Sequence, residues 1–196
     1  MKEIVYAETL KELYEAWKPL HKRVYLTFKK FKGQKPGHMI GDALISEDWW
    51  PLDYKCRRND FRLVKIAFHD IGEFICSFKL TYSDDTVSPI LGYVPSWETN
   101  TEFVLPRSVK VAKVAMCYYK KKEKGKKVFM LAQFKLFDSE GKLIYCGGRN
   151  NYDYNLWKET AIPYNETFIG IRCARSDKKS VILGLGVVTV CNLGKK

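Results

Sequence analysis

From residue 62 onward the apolar positions fall into short paired runs, and the pairing occurs three times. The first pair covers residues 62–68 and 74–85, the second 110–119 and 129–141, the third 168–175 and 181–190. Within each run, apolar side chains alternate with polar or small ones, or follow one another briefly, as in strands with one or both faces buried. A short polar interruption separates the two members of each pair, so each pair reads as two strands joined by a turn. A two-stranded unit cannot bury its apolar face alone, whereas three copies can stack into a common core. The pattern predicts an all-β body with approximate threefold internal symmetry. It also directs the search for chemistry to loops at matching places in the three copies.

Residues 1–59 break this pattern and read as an N-terminal extension to a β domain spanning 60–191. Thr9-Leu-Lys-Glu12 fits a capping box, and Leu10, Leu13, Tyr14 and Trp17 recur at helical spacing until Pro19. One short amphipathic helix over about 9–18 follows, docked on the β body or on a partner, because so short a helix is marginal in water by itself. Val24–Phe28 alternates like a strand, and Gly33–Gly41 reads as loop. Trp49-Trp50-Pro51 is an aromatic cluster in irregular chain, expected either to plug an open end of the β body or to form a contact surface.

Composition narrows the class. With 196 residues, 46% hydrophobic and 14% aromatic, the chain can build one proper core. No apolar run approaches the length of a membrane span. Acidic residues near the N-terminus, Glu3 and Glu8, stand where a signal peptide needs its apolar centre, so an intracellular location is expected, cytoplasmic or within a cytoskeletal or organellar complex. None of the six cysteines forms a Cys-x-x-Cys pair, which disfavours zinc and redox motifs; Cys76, Cys117, Cys173 and Cys191 sit in apolar strands as small hydrophobes. The net charge of +12 points to an acidic partner: an acidic protein or larger complex first, then nucleic acid or an anionic lipid surface.

Several segments suggest a family. Lys79-Leu-Thr-Tyr-Ser-Asp-Asp-Thr-Val-Ser-Pro-Ile-Leu-Gly92 resembles the strand and turn of jacalin-type lectins. Thr101–Pro106 is similar to the family's lead into its second repeat, and Lys142–Gly148 to its glycine-containing strand end. Ile169-Gly-Ile, Ala174-Arg-Ser176 and Leu185-Gly-Val-Val resemble the closing strands. These matches cover about residues 60–191 in family order. They imply a β-prism, three Greek-key sheets around a pseudo-threefold axis, which agrees with the repeat read from the hydrophobic pattern.

The resemblance also implies a sugar site made from a glycine-rich N-terminal loop and a Gly-x-x-x-Asp loop, whose carboxylate accepts hydrogen bonds from sugar hydroxyls. Carried over residue by residue, the Gly and Asp positions become Lys179 and Leu183 in the third repeat, Gly72 and Cys76 in the first, and Lys127 and Leu131 in the second. All three lack the acid, and no N-terminal glycine pair stands around residues 41–60. A site shifted slightly along the chain would use Asp70 and Gly72, or Arg175, Ser176 and Asp177.

Other constellations are weaker. Lys120, Lys121, Lys122, Lys124, Lys126 and Lys127 crowd the turn of the second repeat and suit an acidic partner, or simply a solvated hairpin tip. His69-Asp70 is the only neighbouring His–acid pair in the β body, and no histidines stand at metal-ligand spacing, so neither catalysis nor a metal or cofactor is expected. Asp84-Asp85 and Asp138-Ser-Glu140 read as turn residues. The sequence therefore predicts a non-enzymatic β-prism module that has lost the usual sugar loops and serves as a subunit of a larger assembly. The alternatives are a divergent carbohydrate-binding lectin and, more weakly, a protein that binds RNA or an anionic membrane surface.

Overall fold

The computed structural model describes residues 24–28, 32–33, 39–40, 43–50, 62–71, 74–93, 100–123, 125–148, 156–176 and 179–192. The helix expected over 9–18 lies outside them. The described residues carry fourteen strands, and the three sequence pairs are three long hairpins: β5 (Leu63–Ile71) with β6 (Phe74–Tyr82), β9 (Lys113–Glu123) with β10 (Lys126–Phe137), and β13 (Glu166–Ser176) with β14 (Lys179–Asn192).

Each hairpin gains a strand on either side. In the first sheet β7 (Leu91–Gly92) adds to β6 and β8 (Asn100–Val104) to β5, giving the order β7-β6-β5-β8. In the second, β11 (Leu143–Gly148) and β12 (Trp157–Ala161) give β11-β10-β9-β12. Three consecutive strands followed by a fourth that returns beside the first is a Greek key. The third sheet repeats this arrangement with the chain cut open. Its hairpin comes from the C-terminal end, while β1 (Val24–Phe28) adds to β14 and β4 (Ala43–Trp50) to β13. Short β2 (Lys32–Gly33) also pairs with β14, and β3 (Met39–Ile40) extends the edge beside β4.

The N-terminal region is thus woven into the sheet by four strands. Trp49 and Trp50, expected in irregular chain, lie in β4 opposite Arg172 and Ile171. Aromatic residues suit a pleated, partly buried surface, and this overrides the loop reading. The stretch 33–41, also expected as loop, holds Gly33 in β2 and Met39–Ile40 in β3.

Threefold repetition extends to backbone detail. Each hairpin shifts register at an equivalent place: between His69 and Asp70, between Leu131 and Gln133, and between Ala174 and Arg175. Beside each shift, a glycine of the neighbouring strand pairs with the hairpin: Gly92 with Ser77, Gly148 with Gln133, Gly33 with Gly184. All three have positive φ, between 90° and 111°. A Cβ on Gly92 would lie 2.4 Å from the Cys76 carbonyl, and one on Gly148 2.2 Å from that of Ala132. Only glycine tolerates both the dihedral and the approach.

The three sheets face a common core. Leu63, Ile66, Phe78, Leu80, Met116, Leu136, Ile171, Val187 and Val188 belong to one buried cluster. Phe134 sits edge-on to Phe68 and Phe78, with ring centroids 5.5 and 5.3 Å away, which joins the first and second sheets. Two tyrosines join these sheets to the third. The Tyr82 hydroxyl donates to the Ile169 carbonyl at 2.8 Å. The Tyr118 hydroxyl donates to the Lys32 carbonyl at 2.7 Å and accepts from the Leu185 N–H at 2.9 Å. Cys76, Cys117 and Cys173 are buried thiols. Burial raises Cys76 and pushes Cys117 up to about 11, so these thiols stay protonated and pack as small hydrophobes.

Tyr118→Phe leaves a buried carbonyl and N–H without their shared partner, so it should destabilise the fold by about 1–3 kcal/mol. Urea unfolding measures this; an unchanged midpoint would mean that the Tyr118 hydroxyl does not hold the second and third sheets together.

Candidate functional site

The strand directions define two poles. At one pole lie the strand ends that lead into the three hairpin turns, where Phe74, Tyr119, Val128, Met130, Ala174, Val181 and Leu183 form a satellite apolar cluster. At the other lie the starts of β5 and β13 and the link from β8 to β9.

The turn pole is where the family resemblance looks for sugar. The glycine junctions fix which residues of the three repeats correspond. Cys76, Ala132 and Leu183 each precede the residue paired with a positive-φ glycine. The register shift makes Ala132, rather than Leu131, the equivalent of the other two, and all three are 0% exposed. These positions hold buried, non-acidic side chains.

The residues proposed for a shifted site are only partly brought together. Gly72 and Asp177 lie outside the described residues. Asp70 (opposite Ile75), Tyr118 (opposite Leu131) and Arg175 (opposite Ile182) occupy one equivalent position, just past the register shift in each hairpin. One threefold-related position thus carries an acid, a buried phenol and a base. Asp70 is half-buried, and Ser176 is buried opposite Ile45 of β4.

Arg175 leads to an acid that the sequence reading missed. Its Nε donates to Asp48 Oδ2 at 2.7 Å, and the Gly92 N–H donates to the same oxygen at 3.0 Å. Asp48 sits on β4 opposite Cys173, at the corner where the edge strand β7 of the first sheet meets the third. Its side chain is 25% exposed and that of Arg175 34%. Both contacts converge on Oδ2; among the described residues no donor reaches Oδ1. The product is a partly exposed carboxylate fixed through one oxygen by a guanidinium and a backbone amide. β4 reads Ala-Leu-Ile-Ser-Glu-Asp-Trp-Trp, three apolar residues, three polar ones and two tryptophans, so no period-two alternation marks it as a strand.

Gly33 marks a second feature of this pole. With Tyr118, Phe129, Leu156 and Lys158 it lines a recess of about 110 Å³. Its counterparts Gly92 and Gly148 show that it is the N-terminal member of a threefold set of junction glycines.

The lysine hairpin projects from the same pole. β9 and β10 pair as far as Lys126 opposite Glu123. Lys122 and Lys127 face each other directly, and Lys120 faces Phe129. Lys120, Lys122 and Lys127 are exposed; Lys121 lies on β9 and Lys126 on β10, and Lys124 lies outside the described residues. Like charges placed opposite each other weaken a strand pair, so this tip is tuned for charge rather than for stability.

The remaining candidates have structural duties. His69 Nδ1 lies 3.1 Å from the Ser77 hydroxyl, and both are buried. Asp84 Oδ1 accepts from the Thr86 N–H, and Asp138 Oδ1 from the N–H groups of Glu140 and Lys142, as turn residues do. Among the described residues no group of three or more His, Cys, Asp or Glu is placed to hold a metal ion, and no helix is long and apolar enough to cross a membrane.

No family model and no curated protein matches this sequence. Solved structures do. A prostate-specific WGA16 glycoprotein lectin superposes with TM-score 0.56 at 17% identity, over 78% of this chain and 96% of that one. A mannose-binding jacalin-related lectin from Ananas comosus gives TM-score 0.53 at 10% identity, over 84% and 96%. Artocarpin in complex with mannotriose gives 0.52 at 12% identity, over 83% and 98%. The chain has the β-prism fold of jacalin-related lectins, and its neighbours in fold are lectins rather than enzymes.

The lysine tip has a measurable signature. Replacing Lys120, Lys122 and Lys127 with Gln should lower the salt concentration that elutes the protein from heparin, and reduce the salt dependence of binding by about one unit per lysine in contact. Unaltered elution would assign the retention to charges elsewhere.

Proposed function

We propose that this chain is a non-enzymatic, carbohydrate-binding β-prism module, and that Asp48 is its sugar-hydroxyl acceptor. The fold comparisons support this reading over that of a purely structural subunit, since artocarpin was solved with mannotriose and the Ananas comosus lectin is described as mannose-binding. The observation that carries it is the fixation of Asp48: Arg175 and the Gly92 N–H hold one oxygen at 2.7 and 3.0 Å, and among the described residues no donor engages the other. Sugar hydroxyls are already well solvated, so a protein gains most by offering them an ionised, preorganised acceptor. Arg175 serves as the positioning residue, with Ser176 next to it on β13 and Asp70 at the equivalent position of the first hairpin. The lysine tip adds a long-range preference for acidic surroundings, suiting an acidic protein partner or larger complex.

Asp48→Asn keeps the shape and removes the charge. It should weaken mannotriose binding about tenfold or more, the loss expected for a charge-assisted hydrogen bond. Titration calorimetry beside a thermal melt separates this from unfolding. Undiminished binding by a folded Asp48→Asn variant overturns the assignment of Asp48, and a wild-type protein that binds no sugar on a glycan array overturns the function.

A further inference from the structure

The pole opposite the hairpin turns carries a cleft that the reading above leaves unused. It has a volume of about 220 Å³, below the ~300–1,000 Å³ of drug-sized sites and suited to one ring with its substituent. Leu63, Leu105, Val111 and Phe168 supply apolar walls, while Arg62, Arg107 and Lys110 bring positive charge to it. All three repeats contribute: the start of β5, the link from β8 to β9, and the start of β13.

The backbone around the cleft is fixed. The Arg62 N–H donates to the Ser83 hydroxyl at 3.1 Å, and its carbonyl accepts from the Ser83 N–H at 3.0 Å. Leu105 N–H donates to the Val64 carbonyl at 2.8 Å, and Val109 N–H to that of Pro106 at 3.2 Å, which turns the link and sets the base of Arg107. Lys110 is already engaged. Its ammonium donates to the Tyr164 carbonyl and lies 4.9 Å from the centre of that ring. The two guanidiniums differ in this respect: among the described residues, neither Arg62 nor Arg107 has a side-chain hydrogen bond or ion pair. Two guanidiniums with no side-chain partner among the described residues, both lining one apolar-walled cleft, suit an oxyanion, because guanidinium matches sulfate and carboxylate geometry bidentately.

The rim adds a further element. Tyr164 is 93% exposed and is tethered to the cleft by Lys110. An exposed aromatic ring tied to a lysine that lines the cleft can offer a face to the C–H side of a pyranose ring.

We infer that this opposite pole is a second saccharide site, which takes an anionic sugar unit with its sulfate on Arg62 and Arg107 and its ring between the apolar wall and Tyr164. The inference deepens the carbohydrate reading by adding a ligand class that Asp48, an anion, would repel. A cleft on fixed backbone pays little ordering cost on binding.

The test uses the full chain and two probes, a sulfated heparin-derived disaccharide and mannotriose, followed by calorimetry. The sulfated disaccharide should bind, its desulfated form should not, and Arg62→Gln/Arg107→Gln should weaken the sulfated probe by about tenfold or more. The double variant should bind mannotriose as the wild type does, since Asp48 lies at the other corner. Tyr164→Ala should weaken the sulfated probe without altering its salt dependence. Equal binding of the desulfated disaccharide, undiminished binding by the double variant, or loss of binding only on neutralising Lys120, Lys122 and Lys127 overturns the inference. If mannotriose binds and the sulfated probe does not, the second site alone fails; if neither binds, the carbohydrate reading fails with it.

Discussion

Closure of the third sheet is the constraint on which the rest of the molecule depends. The first two sheets are built from consecutive chain and finish themselves. The third needs strands from opposite ends, with Val24 opposite Asn192 and Trp50 opposite Ile171. Without β1 and β4 the last hairpin would present two open edges and an incomplete core face. The entropic cost of so long a loop grows only logarithmically with its length, so the fold can afford it thermodynamically, though such non-local pairing is slow to form. Everything assigned to the turn pole follows from this closure: Asp48 rides on β4, Gly33 on β2, and the Tyr118 hydroxyl meets the Lys32 carbonyl there.

Symmetry then explains why chemistry gathers where it does. The three glycine junctions and register shifts are backbone devices, and they repeat because each sheet meets the same geometric demand. Side chains just past the shift face no common demand and have diverged to Asp70, Tyr118 and Arg175. The phenol became a structural clasp, buried and held protonated because burial raises its ionisation far above the ordinary range. Arg175 became the holder of Asp48. A repeat architecture thus offers several equivalent places to build a site and needs only one of them to remain committed to function.

The hairpins were legible in sequence because their period-two patterning is long and each is interrupted by a clear polar turn. Both Phe74–Tyr82 and Lys126–Phe137 carry that signal. The strands supplied by the N-terminal region were not. β2 and β3 are two residues long each, too short for any period to register, and Ala43–Trp50 mixes acids with tryptophans. That Cys76 and Leu183 are apolar was legible by inspection. The contact between Asp48 and Arg175 was not, because it spans 127 residues of sequence and no local pattern encodes it. The one-residue error at Leu131 has a comparable cause: a register shift adds a residue to one strand and leaves the hydrophobic pattern nearly untouched.

Charge ties the two poles together. A protein of net charge +12 attracts any acidic surface from a distance set by the Debye length, about 8–10 Å at physiological salt. Such a field raises encounter rates and cannot by itself distinguish one polyanion from another. Discrimination must come from contacts at hydrogen-bond range, and these differ between the poles. In the proposed reading, Asp48 would repel anions and accept hydroxyls, while Arg62 and Arg107 would do the reverse. The lysine tip, with Lys122 against Lys127, lies nearer the pole that carries the acid, so the surrounding field and the local acceptor there have opposite preferences. A glycan with neutral and sulfated units would satisfy both, because the lysines could meet its sulfates while its hydroxyls reached Asp48. A wholly neutral sugar would use Asp48 and gain nothing from the field, whereas a bare polyanion would use the field and be turned away at Asp48.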